Sequence, residues 1–463
     1  MRKVLPLAAL ALAGCIKLGP DYTRPAVVEL PAAYPEPPAP GEAVVPADWW
    51  KLYGDAALDE LVASARKANA DLRLAAARVQ EAEGVLREAR AALFPDVNSG
   101  YNYSRSRVST TSVPPPPAGT VMRPSHNLVL ASTSFELDFW GRFARASEAA
   151  QANLLASRLS QDTVALTLAG GTAQTYFALR SLDAQITVLD LAIKLREDSL
   201  AIARARLEAG LASELDVYQA QGALADALFQ RRDAARNRSL VERQLAQLTG
   251  RLDLKLASGD LFALPLPPVP PAGLPSTLLE RRPDIRGAEQ TLIAFNAQIG
   301  VARAALFPTL SLTGSFGLQS AELSDLLTNN ARAWTLGAGL LGPIFDGGRR
   351  GARVEQAQAR REQAVAGYQR AIETGFREVA DALVNVRESA EAEDELRGRL
   401  EAARKALELS RLRYESGYSP YLEVLDAQRT ANDAELAFVR NRQARLAFTV
   451  DLMKALGGGW KGN

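Results

Sequence analysis

The chain has 463 residues, with 54 Lys and Arg against 53 Asp and Glu, one Cys and one His. Balanced charge offers neither a basic field for nucleic acid nor an acidic one for cations. A lone Cys15 and a lone His126 exclude a disulfide framework and a His/Cys zinc cluster, and they leave little material for Cys/His or Ser/His/Asp catalysis. With no G-x-x-x-x-G-K-[ST] loop either, the sequence reads as a non-enzyme without cofactor or metal.

At the N-terminus, Arg2 and Lys3 precede a short apolar run, Val4 to Ala11, and then Leu12-Ala13-Gly14-Cys15. A peptidase that accepts only small side chains requires this order of charge, apolar run and small residues. The tetrad resembles the bacterial lipobox, so residues 1–14 read as a lipoprotein signal peptide and Cys15 as the lipidated first residue of the mature chain. The alternative is an ordinary signal peptide with a chance Cys. Ile16 in place of Asp fits sorting to the outer membrane. No later apolar run reaches about 18 residues, so no transmembrane helix is expected. If the chain spans a membrane, it must do so as a closed β-barrel.

Residues 16–47 are Pro-rich and lack helical periodicity; they read as an extended arm, part of an N-terminal segment 15–60. Beyond them the chain repeats itself. Ala89-Arg-Ala-Ala-Leu-Phe-Pro95 recurs as Ala302-Arg-Ala-Ala-Leu-Phe-Pro308, a shift of 213 positions (95 to 308). Asn69-Ala-Asp-Leu-Arg73 aligns with Arg282-Pro-Asp-Ile-Arg286 at the same shift. Arg206-Leu-Glu-Ala-Gly210 matches Arg413-Tyr-Glu-Ser-Gly417 at a shift of 207 (210 to 417). The first copy therefore holds six extra residues, placed in its Pro-rich loop at 104–126. The period is too long for a solenoid, whose repeats run about 20–50 residues. The copies span 61–250 and 281–456. A second Pro-rich crossing, 251–280, joins them, and a Gly-rich tail, 457–463, follows.

Each copy predicts the same elements. A helix ends at Phe-Pro. Alternation follows at Val97, Ser99, Tyr101 and Tyr103, and at Leu310, Leu312, Gly314, Phe316 and Leu318, which is strand patterning. Second strands are expected at 127–139 and 333–345. Long helices follow at about 143–208 and 349–415, each roughly 100 Å at 1.5 Å per residue. They break at Gly210 and Gly417, and further helices run to about 249 and 456. The long helices carry only a thin, Ala-rich apolar seam. That suits either the wall of a water-filled tube or an exposed antiparallel coiled coil. The strands discriminate: four cannot close where membrane barrels need at least about eight, and an open edge in lipid leaves backbone groups unpaired. The chain must share its barrel with other copies.

Taken together, the lipobox, Leu18-Gly-Pro-Asp-Tyr22, Trp49-Trp50 with Gly54-Asp55, Leu278-Leu-Glu-Arg-Arg-Pro-Asp-Ile-Arg286, the two Leu-Phe-Pro motifs, Phe345-Asp-Gly-Gly-Arg349 and Tyr414 to Arg429 are similar to the TolC-type outer-membrane factors, in the lipoprotein branch of OprM and NodT. The resemblance covers essentially the whole chain. It implies an α+β membrane protein: a homotrimer whose 12-stranded outer-membrane β-barrel takes four strands per chain and continues into a periplasmic α-helical barrel. The termini and the inter-repeat crossing would form an equatorial domain. The implied partners are a periplasmic adaptor, an inner-membrane efflux pump and outer-membrane lipid. The implied function is a passive export conduit for drugs or other small solutes, opened when the helices at its periplasmic tip untwist.

Glu423 and Asp426 stand one helical turn apart; they match positions that form acidic rings at the tip in this family, or they are a solvated face. Tyr414 and Asp216 match positions that link neighbouring helices and hold the tip closed, through a charge-assisted and breakable hydrogen bond; ordinary packing is the alternative for Tyr414. The family's second latch uses an Arg where this chain has Ser419, a loss that Arg413 or Arg429 would have to offset. Leu422 is either an apolar constriction or a seam residue. Two rival classes stay open at this stage. A periplasmic adaptor would show one helical hairpin between β-rich halves. A structural coiled-coil lipoprotein would leave the alternating strands unexplained. The cargo is not legible, and three Met residues give no support for a Met-based copper or silver relay.

Overall fold

The structure, a computed structural model, describes residues 16–31, 33, 34, 45–111, 114, 117, 122–271 and 275–460. The signal segment 1–14 and Cys15 lie outside the described residues, as do 35–44 of the arm and 461–463 of the tail.

A 3-10 turn at Trp49–Tyr53 leads into α1 (Ala56–Ala68) and α2 (Ala70–Ala91). The first copy continues with β1 (Asn98–Arg107), β2 (Met122–Leu137), α3 (Arg142–Glu208) and α4 (Glu214–Thr249). A helical turn at Leu278–Arg281 opens the second copy: α5 (Pro283–Ala304), β3 (Thr309–Ser320), β4 (Arg332–Leu341), α6 (Arg349–Glu415) and α7 (Tyr421–Ala455). The long helices α3 and α6 have 67 residues each. They start at Arg142 and Arg349, already 207 positions apart, so the six extra residues of copy one all lie between Pro95 and Arg142.

The strands sit where alternation puts them, with shifted ends. β2 begins at Met122 rather than 127, and so includes Pro124. The β2–β3 ladder ends at His126, so at Pro124 one side of the strand has no neighbour to receive an N–H. β2 ends at Leu137 rather than 139, because the next residue turns to a different task. The carboxylate of Asp138 accepts from the N–H groups of Phe143 and Ala144 at 3.1 and 2.8 Å and so holds the first turn of α3. β4 ends at Leu341 rather than 345, since Gly342 and Pro343 follow and proline has no N–H for the ladder.

Two compact units divide the chain. The first holds the described residues up to Ala26, with Val79–Ala156 and Ala288–Tyr368. Its centre is one antiparallel sheet in the order β1-β2-β3-β4, in which the hairpins of the two copies meet at β2–β3. A bulge at Leu130 shifts the register between Val129 and Ala131. At the foot of the strands Trp140 stacks on Phe307 at 4.6 Å, and its indole donates to the Pro308 carbonyl at 2.7 Å.

The Leu18-Gly-Pro-Asp-Tyr22 motif is a docking strip in this unit. Buried Arg145 donates to the Leu18 carbonyl and to the Asp21 carboxylate, and Asn296 donates to the Pro20 carbonyl. The Tyr22 hydroxyl and the Arg24 guanidinium both reach the Glu289 carboxylate, at 3.1 and 2.7 Å. Gly19 has φ +97°, and a Cβ there would stand 2.5 Å from the Gly300 Cα, so two glycines let the backbones touch.

The second unit comprises Val27–Arg78, Ser157–Gly287 and the chain from Gln369 on. Trp49, Tyr53, Leu58, Leu61, Phe177 and Leu245 are almost completely buried there. The Tyr53 hydroxyl pairs with the Thr449 hydroxyl at 2.8 Å, and Asp55 caps α1 while accepting from the Tyr176 hydroxyl. Farther along the helices the core narrows to small residues. Ala220, Ala227 and Ala234 recur every seven residues on α4 and are buried, the period of a coiled-coil seam. Among the described residues no helix is long and apolar enough to cross a membrane.

Candidate functional site

The sheet has two unlike faces, and the register assigns every residue to one of them. Residues directly opposite share a face. Tyr103 faces His126; Leu128 faces Leu318, Ala131 faces Phe316, and Phe135 faces Leu312; Phe316 faces Trp334 and Leu310 faces Leu340. This face is apolar and aromatic. The other face pairs Asn102 with Asn127 and Ser104 with Ser125, Ser132 with Ser315 and Ser134 with Thr313, and Thr313 with Gly337. It is polar and built of small residues. The bulge at Leu130 keeps the faces consistent along β2, because without it every side chain beyond it would switch sides.

Large apolar residues stand open to solvent on the first face: Trp334 is 71% exposed and Leu336 is 77% exposed. No globular core covers them. One face apolar and one face polar, with alternation along every strand, is the pattern of a membrane barrel wall around a wet lumen. β1 and β4 each pair on one side only, so the sheet ends in two free edges.

The second place of interest is the pair of turns that join α3 to α4 and α6 to α7. They are built alike. The Leu211 N–H reaches the Arg206 carbonyl and the Tyr418 N–H reaches the Arg413 carbonyl, both at 2.8 Å, across Gly210 and Gly417. Both glycines are left-handed, at φ +70° and +80°, and each closes its helix in the same way.

The two following helices begin differently. Ser213 caps α4 in a capping box with Asp216: its hydroxyl accepts from the Asp216 N–H, and the Asp216 carboxylate accepts from the Ser213 N–H. Pro420 stands at the matching place before α7 and offers no side-chain cap. Glu423 holds the position in copy two that Asp216 holds in copy one, at the shift of 207 (216 to 423). With no cap to complete, its carboxylate takes Arg413 instead, at 3.0 Å.

Around these turns Tyr414 and Tyr421 pack edge to face at 5.5 Å, beside Leu200, Ala203, Ala220 and Val424. The Arg206 guanidinium lies 4.8 Å from the centre of the Tyr414 ring and donates to the Tyr414 carbonyl at 2.7 Å. Burial pushes the Tyr421 phenol up to about 12, with the neighbouring Tyr414 adding to the shift. Burial also raises Tyr414; Arg206 opposes the shift and Asp216 adds to it.

Asp216 is thus close enough to act on both phenols, yet the Tyr414 hydroxyl makes no hydrogen bond among the described residues. The Ser419 hydroxyl is also buried without a partner among the described residues. Asp426 pairs with Arg429 at 2.9 Å, and Leu422 is 58% exposed. Cys15 falls outside the described residues.

The sequence points to Tyr414, Asp216, Glu423, Asp426, Leu422 and Arg429 but not to Arg206 and Tyr421. The signal for Arg206 was present: it is the copy-one counterpart of Arg413, at the head of the same five-residue motif. Tyr421 has no counterpart, since Glu214 stands at its place in copy one. Among the described residues no group of three His, Cys, Asp or Glu is placed to hold a metal.

The sequence matches the family described as outer membrane efflux protein over residues 61–251 and 274–458, one segment per repeat. The outer membrane protein OprJ of Pseudomonas aeruginosa is 37% identical over 470 residues, covering 98% of this chain and 95% of OprJ. The toluene efflux pump outer membrane protein TtgI of Pseudomonas putida is 34% identical, covering 99% of this chain and 98% of TtgI. The solved CmeC outer membrane channel of Campylobacter jejuni has a TM-score of 0.90 at 26% identity, covering 96% of this chain and 95% of CmeC. The repeats, the four-stranded sheet and the long helices therefore have one common explanation: the chain belongs to the outer membrane efflux protein family.

Proposed function

We propose that this chain is the outer-membrane channel subunit of a tripartite efflux system. The observation that carries the reading is the two-faced, four-stranded sheet with two free edges. Four strands cannot close in lipid, and joining β1 of one copy to β4 of the next removes every edge. Three copies give a 12-stranded barrel with the apolar face toward lipid and the polar face toward the lumen. The channel moves solutes passively and makes or breaks no bond.

Lipid on Cys15 tethers each arm to the outer membrane, and the helical turns face the periplasm. There a periplasmic adaptor and an inner-membrane pump dock and supply the energy. The relatives' names, among them a toluene and an antibiotic efflux pump protein, favour drugs and other small organic solutes as cargo.

The turn regions are the gate. In three copies, Glu423 and Asp426 each become a ring of carboxylates, Leu422 adds an apolar rim, and Arg429 tempers Asp426. The unpartnered Tyr414 hydroxyl is free to take a carboxylate of a neighbouring copy, with Asp216 the candidate acceptor. Adaptor binding breaks these contacts and lets the helices untwist.

Planar-bilayer recording tests the reading. Purified wild-type protein is expected to give discrete ohmic steps of low conductance, and the Asp216→Ala/Tyr414→Phe variant larger ones. Equal conductance in the two would sink the latch assignment. Folded trimers of both that never conduct would sink the channel itself.

A further inference from the structure

The apolar face of the sheet carries three charges in its strands, all arginine. The register places Arg105 opposite Pro124 and Arg107 opposite Met122, on the face of Tyr101, Tyr103 and His126. It places Arg332 opposite Leu318, on the same face as Trp334 and Phe316. All three stand at the strand ends farthest from the helices, beyond the Tyr and Trp level. At the helix end the same face runs out in Leu137, Leu310 and Leu340 without a charge. No carboxylate occupies this face of any strand, so nothing within the sheet neutralises the guanidiniums.

Arginine is costly beside hydrocarbon, and its cost falls toward the interface. Tyr and Trp rings mark the interface level. Here Tyr101 donates or accepts at His126 Nδ1 across 2.7 Å, and Tyr103 packs on the same ring at 4.7 Å, which ties these polar tips together at one height. A guanidinium just above such a girdle meets headgroups, and its planar fork matches phosphate oxygens two at a time.

We infer that Arg105, Arg107 and Arg332 form a binding surface for the phosphate groups of glycolipids in the outer leaflet. The inference rests on the proposed function, which puts the helix-distal end of the sheet in that leaflet. Arg105 and Arg107 lie on β1 and Arg332 on β4, the two edge strands. When copies join edge to edge these strands become neighbours about 4.8 Å apart. One phosphorylated headgroup then bridges two copies, and the lipid acts as a clamp across the seam.

The test uses full-length protein in nanodiscs of zwitterionic phospholipid, alone or with purified lipid A in its diphosphorylated or dephosphorylated form. Native mass spectrometry counts copies of the chain and retained lipid A. Wild type is expected to retain the diphosphorylated form and to release the dephosphorylated form at least about ten-fold more readily, in line with two or more charge-assisted hydrogen bonds. Arg105→Gln/Arg107→Gln/Arg332→Gln is expected to lose that preference. A control that removes three exposed charges on α6, Arg353→Gln/Arg360→Gln/Arg370→Gln, is expected to keep it. Equal retention of both lipid forms by wild type overturns the inference even if the sheet variant fails to fold, and so does a sheet variant that binds like wild type. The copy number in lipid-A-free discs is read separately. A chain that is not multimeric there overturns the proposed function, whereas a multimer blind to phosphate overturns only the lipid surface.

Discussion

Arg206 of the first repeat lies over the ring of Tyr414 of the second, 4.8 Å from its centre, and donates to the carbonyl of the same residue at 2.7 Å. Its counterpart, Arg413, turns instead to Glu423. One duplicated arginine therefore does two jobs. In copy one it clasps a buried phenol, and in copy two it neutralises a half-exposed carboxylate. The difference follows from Ser213 against Pro420. A serine cap occupies Asp216, and a proline leaves Glu423 free for an arginine.

Replacing Arg206 with Ala removes the ring contact and the hydrogen bond together, a loss of about 1–2 kcal/mol from the local stability of the turn. Hydrogen exchange of residues 411–421 should speed up several-fold while the sheet is unaffected. Tyr414→Phe should leave that exchange unchanged, since its hydroxyl has no partner among the described residues. Any effect of Tyr414→Phe on conductance then reports a contact between copies.

Ser213→Ala removes a cap whose usual worth is about 1 kcal/mol. The first turn of α4 should fray, seen as faster exchange at Asp216 and Val217, with no change at the matching turn of α7, where Pro420 gives no side-chain cap. Equal fraying at both turns would contradict the assigned asymmetry.

Alkali should loosen the turn through Tyr421. Its phenol is raised to about 12, first by burial and then by Tyr414, against about 10 in an unfolded chain. Below about pH 10 both states hold the proton and the contribution is complete. As pH rises from about 10 to about 12 the unfolded chain ionises first, and up to about 2 kcal/mol is lost. Thermal scans of detergent-solubilised protein at both ends of this window should show a smaller loss for Tyr421→Phe than for wild type.

The two faces of β4 should respond oppositely to charge. Leu336→Arg puts a guanidinium on the lipid side and should cost about 2–4 kcal/mol, visible as lost heat-resistant oligomer in outer-membrane fractions. Thr335→Arg, one residue away and on the lumen side, should assemble normally. Reversed outcomes would mean the faces are assigned the wrong way round.

Gly19→Ala places a Cβ 2.5 Å from the Gly300 Cα at a residue with φ +97°. Both the clash and the left-handed strain oppose the docked arm. Proteases should cleave residues 16–31 faster in this variant, with assembly of the sheet unaffected.

Much of this architecture was legible because it was written twice. The repeated Leu-Phe-Pro and Arg-x-Glu-x-Gly motifs located helix ends and turns in both halves, and period-2 alternation located the strands. Strand ends were less legible. Pro124 looks like a barrier in sequence and is harmless beyond the β2–β3 ladder, and Asp138 looks like strand while it caps α3. The partners of Tyr414 were not legible at all. Arg206 lies 208 positions away, and only the meeting of the C-terminal ends of α3 and α6 brings them together. The arginines of the apolar face likewise emerge only from register, which runs from Tyr101 through Leu128 and Leu318 to Arg332 and so puts all three on one face.

The chain supplies four strands to a barrel it cannot close alone. Native mass spectrometry of protein extracted from outer-membrane fractions in mild detergent reads the number of copies that share it. The expected result is a particle of three chains, each 49.7 kDa before processing and lipidation, that survives conditions stripping loosely bound proteins. A folded single chain, with its sheet intact and both edges open, would contradict it.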